Sequence, residues 1–150
     1  MSQSLSQIYV HIVYSTKYRQ PLITDQVRPK LHSYIVGTLS KLGSYVYEIY
    51  ANPDHIHILS TLPKTISLAD FVSKSKTPSS KWVKENFPEL FNFSWQNGYA
   101  GFSVSPSKLE TVRRYIQNQP VHHKKKTFQD ELRLFFNEYH IEYDERYVWD

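Results

Sequence analysis

Apolar and polar positions follow two different rhythms along this chain. Ile8-Tyr9-Val10-His11-Ile12-Val13-Tyr14 is β-branched and aromatic almost throughout, which predicts a strand covered on both faces. From Thr24 to Leu42 the spacing changes to three and four, through Val27, Leu31, Ile35, Leu39 and Leu42. That predicts a helix, and Gly43 stops it. Ser44–Tyr50 and His55–Leu62 read as strands, joined across Asn52-Pro53-Asp54 as an antiparallel hairpin. Ser67–Phe87 predicts a second helix with a serine cap, kinked or broken at Pro78. Phe93–Gln96 and Tyr99–Ser105 predict a short hairpin turning at Asn97-Gly98. A helix from Pro106 to about Asn118 and another from Thr127 to Tyr139 complete the order β-α-β-β-α-β-β-α-α. The expected fold is α/β, a mainly antiparallel sheet covered by helices, in a single domain spanning residues 1–150.

Two segments of this pattern carry candidate chemistry. In the strand Asp54-His55-Ile56-His57-Ile58, side chains at i and i+2 share a face about 6–7 Å apart, so His55 and His57 point one way while Ile56 and Ile58 face the core. Two imidazoles converging from one strand can chelate a divalent metal. The alternative is two polar side chains on the solvent face of a half-buried strand. On the helix Val112-Arg113-Arg114-Tyr115-Ile116-Gln117-Asn118-Gln119, Tyr115 and Gln119 are i and i+4 neighbours, off the apolar stripe of Leu109, Val112 and Ile116. The alternative there is a tyrosine rimming the core and a solvated glutamine.

Taken together, the segments complement each other. A metal held by His55, His57 and the amide oxygen of Gln119 would keep its full charge and favour an anion such as a phosphodiester. The phenol of Tyr115 would be the nucleophile, with Arg113, Arg114 and Lys124–Lys126 to stabilise its anion. Covalent attack would store the energy of the cut bond for rejoining; attack by water would discard it. Asp54 could hold an imidazole from behind, or simply serve the turn. His122 and His123 belong either to the site or to a basic, DNA-facing loop. His11 and His32 read as structural. Trp95, Tyr99 and Phe102 could stack unpaired bases, although core packing is the commoner use of such residues.

These segments resemble the single-tyrosine HUH (His–hydrophobic–His) transposases of bacterial insertion sequences, especially the REP-associated tyrosine transposases. The matching stretches are His11 to Ile23 (HIVYSTKYRQPLI), Pro53-Asp54-His55-Ile56-His57, Phe93 to Tyr99 (FSWQNGY), Phe102-Ser103-Val104-Ser105, and Tyr115 to Gln119 with His122-His123. The resemblance covers about residues 7–131. It implies a sheet with an RNA-recognition-motif-like core, Mg²⁺ or Mn²⁺ on His55, His57 and Gln119, and Tyr115 as nucleophile. It also implies single-stranded DNA cut beside a hairpin to give a 5′-phosphotyrosine, and a homodimer in which the tyrosine helix of one subunit reaches the histidines of the other. Two alternatives stay open: a noncatalytic hairpin-DNA-binding protein, and a metal-dependent phosphodiesterase that uses water.

Charge adds a direction to this picture. The net charge of +4 hides a basic body and an acidic end: residues 1–129 carry 16 Lys/Arg against 7 Asp/Glu, and residues 130–150 carry two arginines against seven acids. Such a body suits nucleic acid. Lys74 and Lys76 on the second helix are candidate phosphate contacts, and the acidic tail at 141–150 is expected to pack on a neighbouring basic surface and tune DNA access. The absence of cysteine excludes thiolate chemistry and cysteine-based metal sites. No apolar run approaches a membrane span and Met1–Gln7 is uncharged, so a cytoplasmic protein that meets the nucleoid when acting is expected.

Overall fold

A computed structural model describes residues 2–123 and 125–150. Its centre is a four-stranded antiparallel sheet of β1 (Tyr9–Ser15), β2 (Val46–Ala51), β3 (His55–Thr61) and β4 (Ala100–Val104), in the order β2-β3-β1-β4. The helices are α1 (Arg28–Lys41), α2 (Leu68–Asn86), α3 (Leu109–Gln117), α4 (Gln119–His122) and α5 (Phe128–Glu138).

Register explains which residues share a face. β1 pairs with β3 so that Val13 lies opposite His57 and Ser15 opposite His55, and it pairs with β4 so that His11 lies opposite Phe102. Alternation then puts Val10, Ile12, Tyr14, Ile56 and Ile58 on one face, buried against α1 and α2 through Leu31, Ile35, Leu39, Phe71, Val72 and Val83. The other face carries His11, Val13, His57, Leu59 and Phe102. Part of it packs on α5 through Phe128, Leu132 and Phe136, and part on α3 through Ile116 and Val112. Being covered twice, β1 and β3 are apolar or fully buried along almost their whole length.

Local signals account for the helix ends. Gly43 takes φ +89 and lets Ser44 N–H return to Leu39 O at 3.1 Å, closing α1. Ser67 and Thr127 cap α2 and α5 by accepting from the N–H groups of Asp70 and Asp130, each at 3.1 Å.

Three expectations change. The first helix starts at Arg28 rather than Thr24, because Thr24 instead closes a turn that receives the N–H of Arg28 at 2.9 Å. Pro78 does not break α2, whose packed face (Phe71, Val72, Ser75, Ser79, Val83) outweighs the one hydrogen bond proline cannot make. The hairpin at Asn97-Gly98 does not form: β4 pairs with β1, and Phe93–Gln96 runs antiparallel beside the end of β1, where Trp95 bridges Thr16. Phe93 and Trp95 are buried there, with the Trp95 indole donating to Ser79 Oγ at 3.0 Å.

The acidic tail also behaves differently from expectation. It folds back on its own chain rather than onto a basic surface. Glu145 takes both Arg133 Nε and Nη2, at 2.8 and 3.1 Å, and Asp144 takes Arg146. The main-chain oxygen of Asp150 accepts from Gly98 N–H at 2.9 Å and Gln96 Nε2 at 3.0 Å.

Candidate active site

Five pieces of the chain meet over β3. His55 and His57 are not solvated but buried, at 1% and 0% exposure, because α4, the turn after it and α5 cross above them. Each imidazole is held from behind through Nδ1. His55 Nδ1 lies 2.6 Å from Asp54 Oδ1, and His57 Nδ1 lies 2.8 Å from Nε2 of the buried His11. Both therefore turn Nε2 toward the same point, the arrangement that orients a metal-ligating histidine.

At that point stands Glu131, projecting from α5. Its Oε1 is 2.9 Å from His57 Nε2 and 3.5 Å from His55 Nε2, and its Oε2 is 3.2 Å from His123 Nε2. The donor atoms of His55, His57, His123 and Glu131 all lie within 4.8 Å of one another. An ion with bonds of about 2.1 Å holds its ligand atoms at most about 4.2 Å apart, so a small contraction would close this cluster around a divalent cation. Neutral imidazoles and one carboxylate are donors suited to such an ion.

Tyr115 and Gln119 reach the same carboxylate. The Tyr115 hydroxyl and Gln119 Nε2, the latter at 3.1 Å, both donate to Glu131 Oε2. The i and i+4 neighbours read from the sequence are thus neighbours in space, although Asn118 separates α3 from α4 between them. Gln119 Oε1 accepts from Asn52 Nδ2 at 3.0 Å, and that same Nδ2 lies 3.0 Å from His55 Nε2. The place expected for the Gln119 oxygen is taken here by Glu131. Within the single chain described, Tyr115, Gln119 and the two histidines all lie against Glu131.

Electrostatics follow from this geometry. Burial alone would raise the Glu131 carboxyl, but His57, His123 and His55 hold it well below the ordinary carboxylate range. Burial lowers His55 less than Asp54 and Glu131 raise it, so its net shift is upward. His57 is lowered, chiefly by burial, against the pull of Glu131. Burial and then the adjacent charge of Glu131 push the Tyr115 phenol above its ordinary value.

The remaining candidates divide. Asp54 and His123 join the site, and the His122 ring lies against Tyr115 with centroids 4.8 Å apart. Lys125 and Lys126 are exposed on a groove of about 520 Å³ whose wall includes Asp54 and His123; Lys124 lies outside the described residues. Arg113 and Arg114 do not face the phenol, because Glu48 and Glu110 draw them along the helix surface. Lys74 and Lys76 sit on α2, across the sheet from the site. Lys76 is spent on the carbonyls of Gln96 and Gly98, at 2.9 and 2.5 Å. Trp95 and Phe102 are core, whereas Tyr99 is 40% exposed. His32 is structural, accepting from Ala51 N–H at 2.9 Å.

Three site residues escaped the sequence reading. Glu131 was submerged in the charge of the acidic end, Asn52 in turn chemistry, and His11 in the apolar run of β1. Only His11 left a legible signal, as the one imidazole within that run, two positions from the residue that pairs with His57.

With this geometry in view, comparison with known proteins is direct. The family model described as "Transposase IS200 like" matches residues 4–119. The chain belongs to this family.

Among curated members, it is 24% identical over 118 residues to the ISDra2 transposase TnpA of Deinococcus radiodurans, which spans 75% of this chain and 84% of that one. It is 27% identical over 114 residues to the transposase for insertion sequence element IS200 of Salmonella typhimurium, covering 73% and 74%. The fold is shared with a crystal structure of a Deinococcus radiodurans transposase (TM-score 0.65, 24% identity, 79% of this chain and 98% of that one). It is shared too with a REP-associated tyrosine transposase bound to a REP hairpin (TM-score 0.57, 19% identity, 82% and 74%). The family match ends at Gln119, so His123 and Glu131 lie beyond it. No helix of the described residues is long and apolar enough to cross a membrane.

Proposed function

We propose that this IS200-family transposase nicks and rejoins single-stranded DNA beside a hairpin, with Tyr115 as nucleophile and a divalent cation held by His55, His57 and Glu131. The observation that carries this reading is the shared carboxylate: one side chain, Glu131, touches both the tyrosine hydroxyl and the paired histidines. His123 is within reach as a further ligand, and Gln119 becomes one if its amide turns over. When bound, Mg²⁺ or Mn²⁺ would polarise the phosphoryl oxygens and offset charge that builds in the displacement.

The chain's own residues do the rest. Tyr115 Oη attacks phosphorus, forming a 5′-phosphotyrosine, and the bond to the 3′-oxygen breaks, leaving a 3′-hydroxyl that carries the proton lost by the phenol. Asp54 and His11 keep the two imidazoles aimed, and Lys125 and Lys126 line the groove that a phosphate backbone would follow. As arranged here the phenol stays protonated, because burial and the Glu131 charge both oppose its ionisation.

Incubation with a labelled hairpin oligonucleotide and Mn²⁺, followed by a denaturing gel, tests this. A covalent protein–DNA adduct should form and should be absent in Tyr115→Phe, which should still bind DNA. Cleavage that persists in Tyr115→Phe would mean water is the nucleophile, and binding with no cleavage under either metal would mean a noncatalytic binder.

A further inference from the structure

A cavity of about 370 Å³ opens beside Tyr115, between α3 and α5, and the mechanism above leaves it without an occupant. It lies within the size range of small-molecule pockets, about 300–1,000 Å³. Tyr115 and Glu131 line its inner end, so a phosphodiester at the tyrosine hydroxyl would have a neighbouring nucleotide at the cavity mouth. Further out the wall is apolar and aromatic: the Phe135 ring packs edge-on to Tyr115, 5.7 Å between centroids, and Leu134 and Tyr139 leave 53% and 37% of their surface in solvent. Exposed apolar surface lining a concavity beside a reactive group calls for a ligand with an apolar face. Lys108 and Lys126 on its wall add the charge complement of a phosphate, against the carboxylate of Glu138.

We infer that this cavity receives the unpaired base of a nucleotide flanking the scissile phosphate, unstacked from its neighbours and held against Phe135 and Tyr139. The inference rests on Tyr115 being the nucleophile. A π-face against aromatic rings binds any base, so the cavity positions the strand and leaves choice of sequence to contacts elsewhere. Phe135 and Tyr139 reach the cavity from beside the Phe128–Leu132–Phe136 stripe, each with its ring also against Phe102 of β4, which fixes them as its floor.

The test uses a hairpin oligonucleotide with single-stranded flanks in which 2-aminopurine is walked one position at a time, bound to the Tyr115→Phe protein. One flank position should change fluorescence sharply while its neighbours do not. Thr111→Trp, on the exposed surface of α3 one turn from Tyr115, fills the cavity without entering the core and should abolish that response. In the unmodified protein, an abasic site at the responding position, or Thr111→Trp itself, should slow adduct formation by about 5- to 100-fold, the range expected for one stacked base.

No position-specific response, or an adduct rate unchanged by both perturbations, would overturn the inference and leave the nicking reading intact. A position-specific response with no adduct under Mg²⁺ or Mn²⁺ would support the pocket and sink the nicking reading. Sedimentation showing a dimer that Thr111→Trp or Leu134→Trp dissociates would also overturn it, by giving the cavity to a second copy of the chain.

Discussion

Replacing Glu131 by glutamine keeps the heavy-atom count and removes one buried charge, which makes its effect calculable. The carboxylate is about 1% exposed and accepts from Tyr115, Gln119, His57 and His123. Three of those donors converge on Oε2, and an amide nitrogen in that place would set donor against donor. Hydrogen bonds to a charged group contribute about 1.5–3 kcal/mol each, and breaking a buried charged network costs about 3–5 kcal/mol in all. We expect Glu131→Gln to destabilise the metal-free protein by about 3–4 kcal/mol. At about 2–4 °C per kcal/mol for a chain of this size, Tm should fall by roughly 6–16 °C.

The pH dependence has a definite sign. The folded pKa lies below the unfolded 4.5, so this stabilisation is present above about pH 4.5 and is lost as pH falls below it. Wild type and Glu131→Gln should therefore converge in acid and separate toward neutrality. Thermal unfolding in chelator from pH 3 to 7 reads both effects. Added Mn²⁺ should then raise the wild-type Tm, by the equivalent of about 2.7 kcal/mol at a hundredfold excess over Kd, and raise the variant's less. A variant within 2 °C of wild type at neutral pH, or pH curves that run parallel, would refute the placement of Glu131 at the centre of the site.

Two further predictions concern the frame. Proline costs about 3 kcal/mol relative to alanine inside a helix, so Pro78→Ala should stabilise the protein by about 1–3 kcal/mol, read as a higher urea midpoint; an unchanged midpoint would mean α2 is already distorted there. His32 is partly buried, its pKa lowered to about 4 by burial and then by Arg28, while its Nε2 accepts from Ala51. Between pH 6.5 and about 4 the unfolded chain binds a proton that the folded chain refuses, so stability falls as pH drops through that window. Partial solvent screening reduces the loss to about 1–2 kcal/mol, and His32→Gln, which keeps the acceptor, should flatten that part of the curve.

The sequence alone determined a good deal about this protein. The unbroken β-branched and aromatic run of Ile8–Tyr14, the alternation in His55–Ile58 and period three to four in the helices were enough for an antiparallel sheet under helices. The same alternation put His55 and His57 on one face, and helical spacing put Tyr115 beside Gln119, because these relations lie within a few residues of backbone. Tertiary structure decided the rest. Glu131 belongs to the site only because α5 folds back over β1 and β3, 74 positions from His57 along the chain, and no local period records that return. Phe93–Gln96 was followed by turn residues suited to a hairpin, yet a core needing Phe93 and Trp95 drew it to the end of β1, where Trp95 bridges Thr16. The acids of the tail met Arg133 of α5 and Arg146 of the tail itself, so net charge by segment could say how much charge there was and not what it would touch. Which groups share a face is a property of local geometry; which groups share a site depends on long-range packing, since burial joins residues whose separation in sequence carries no signal.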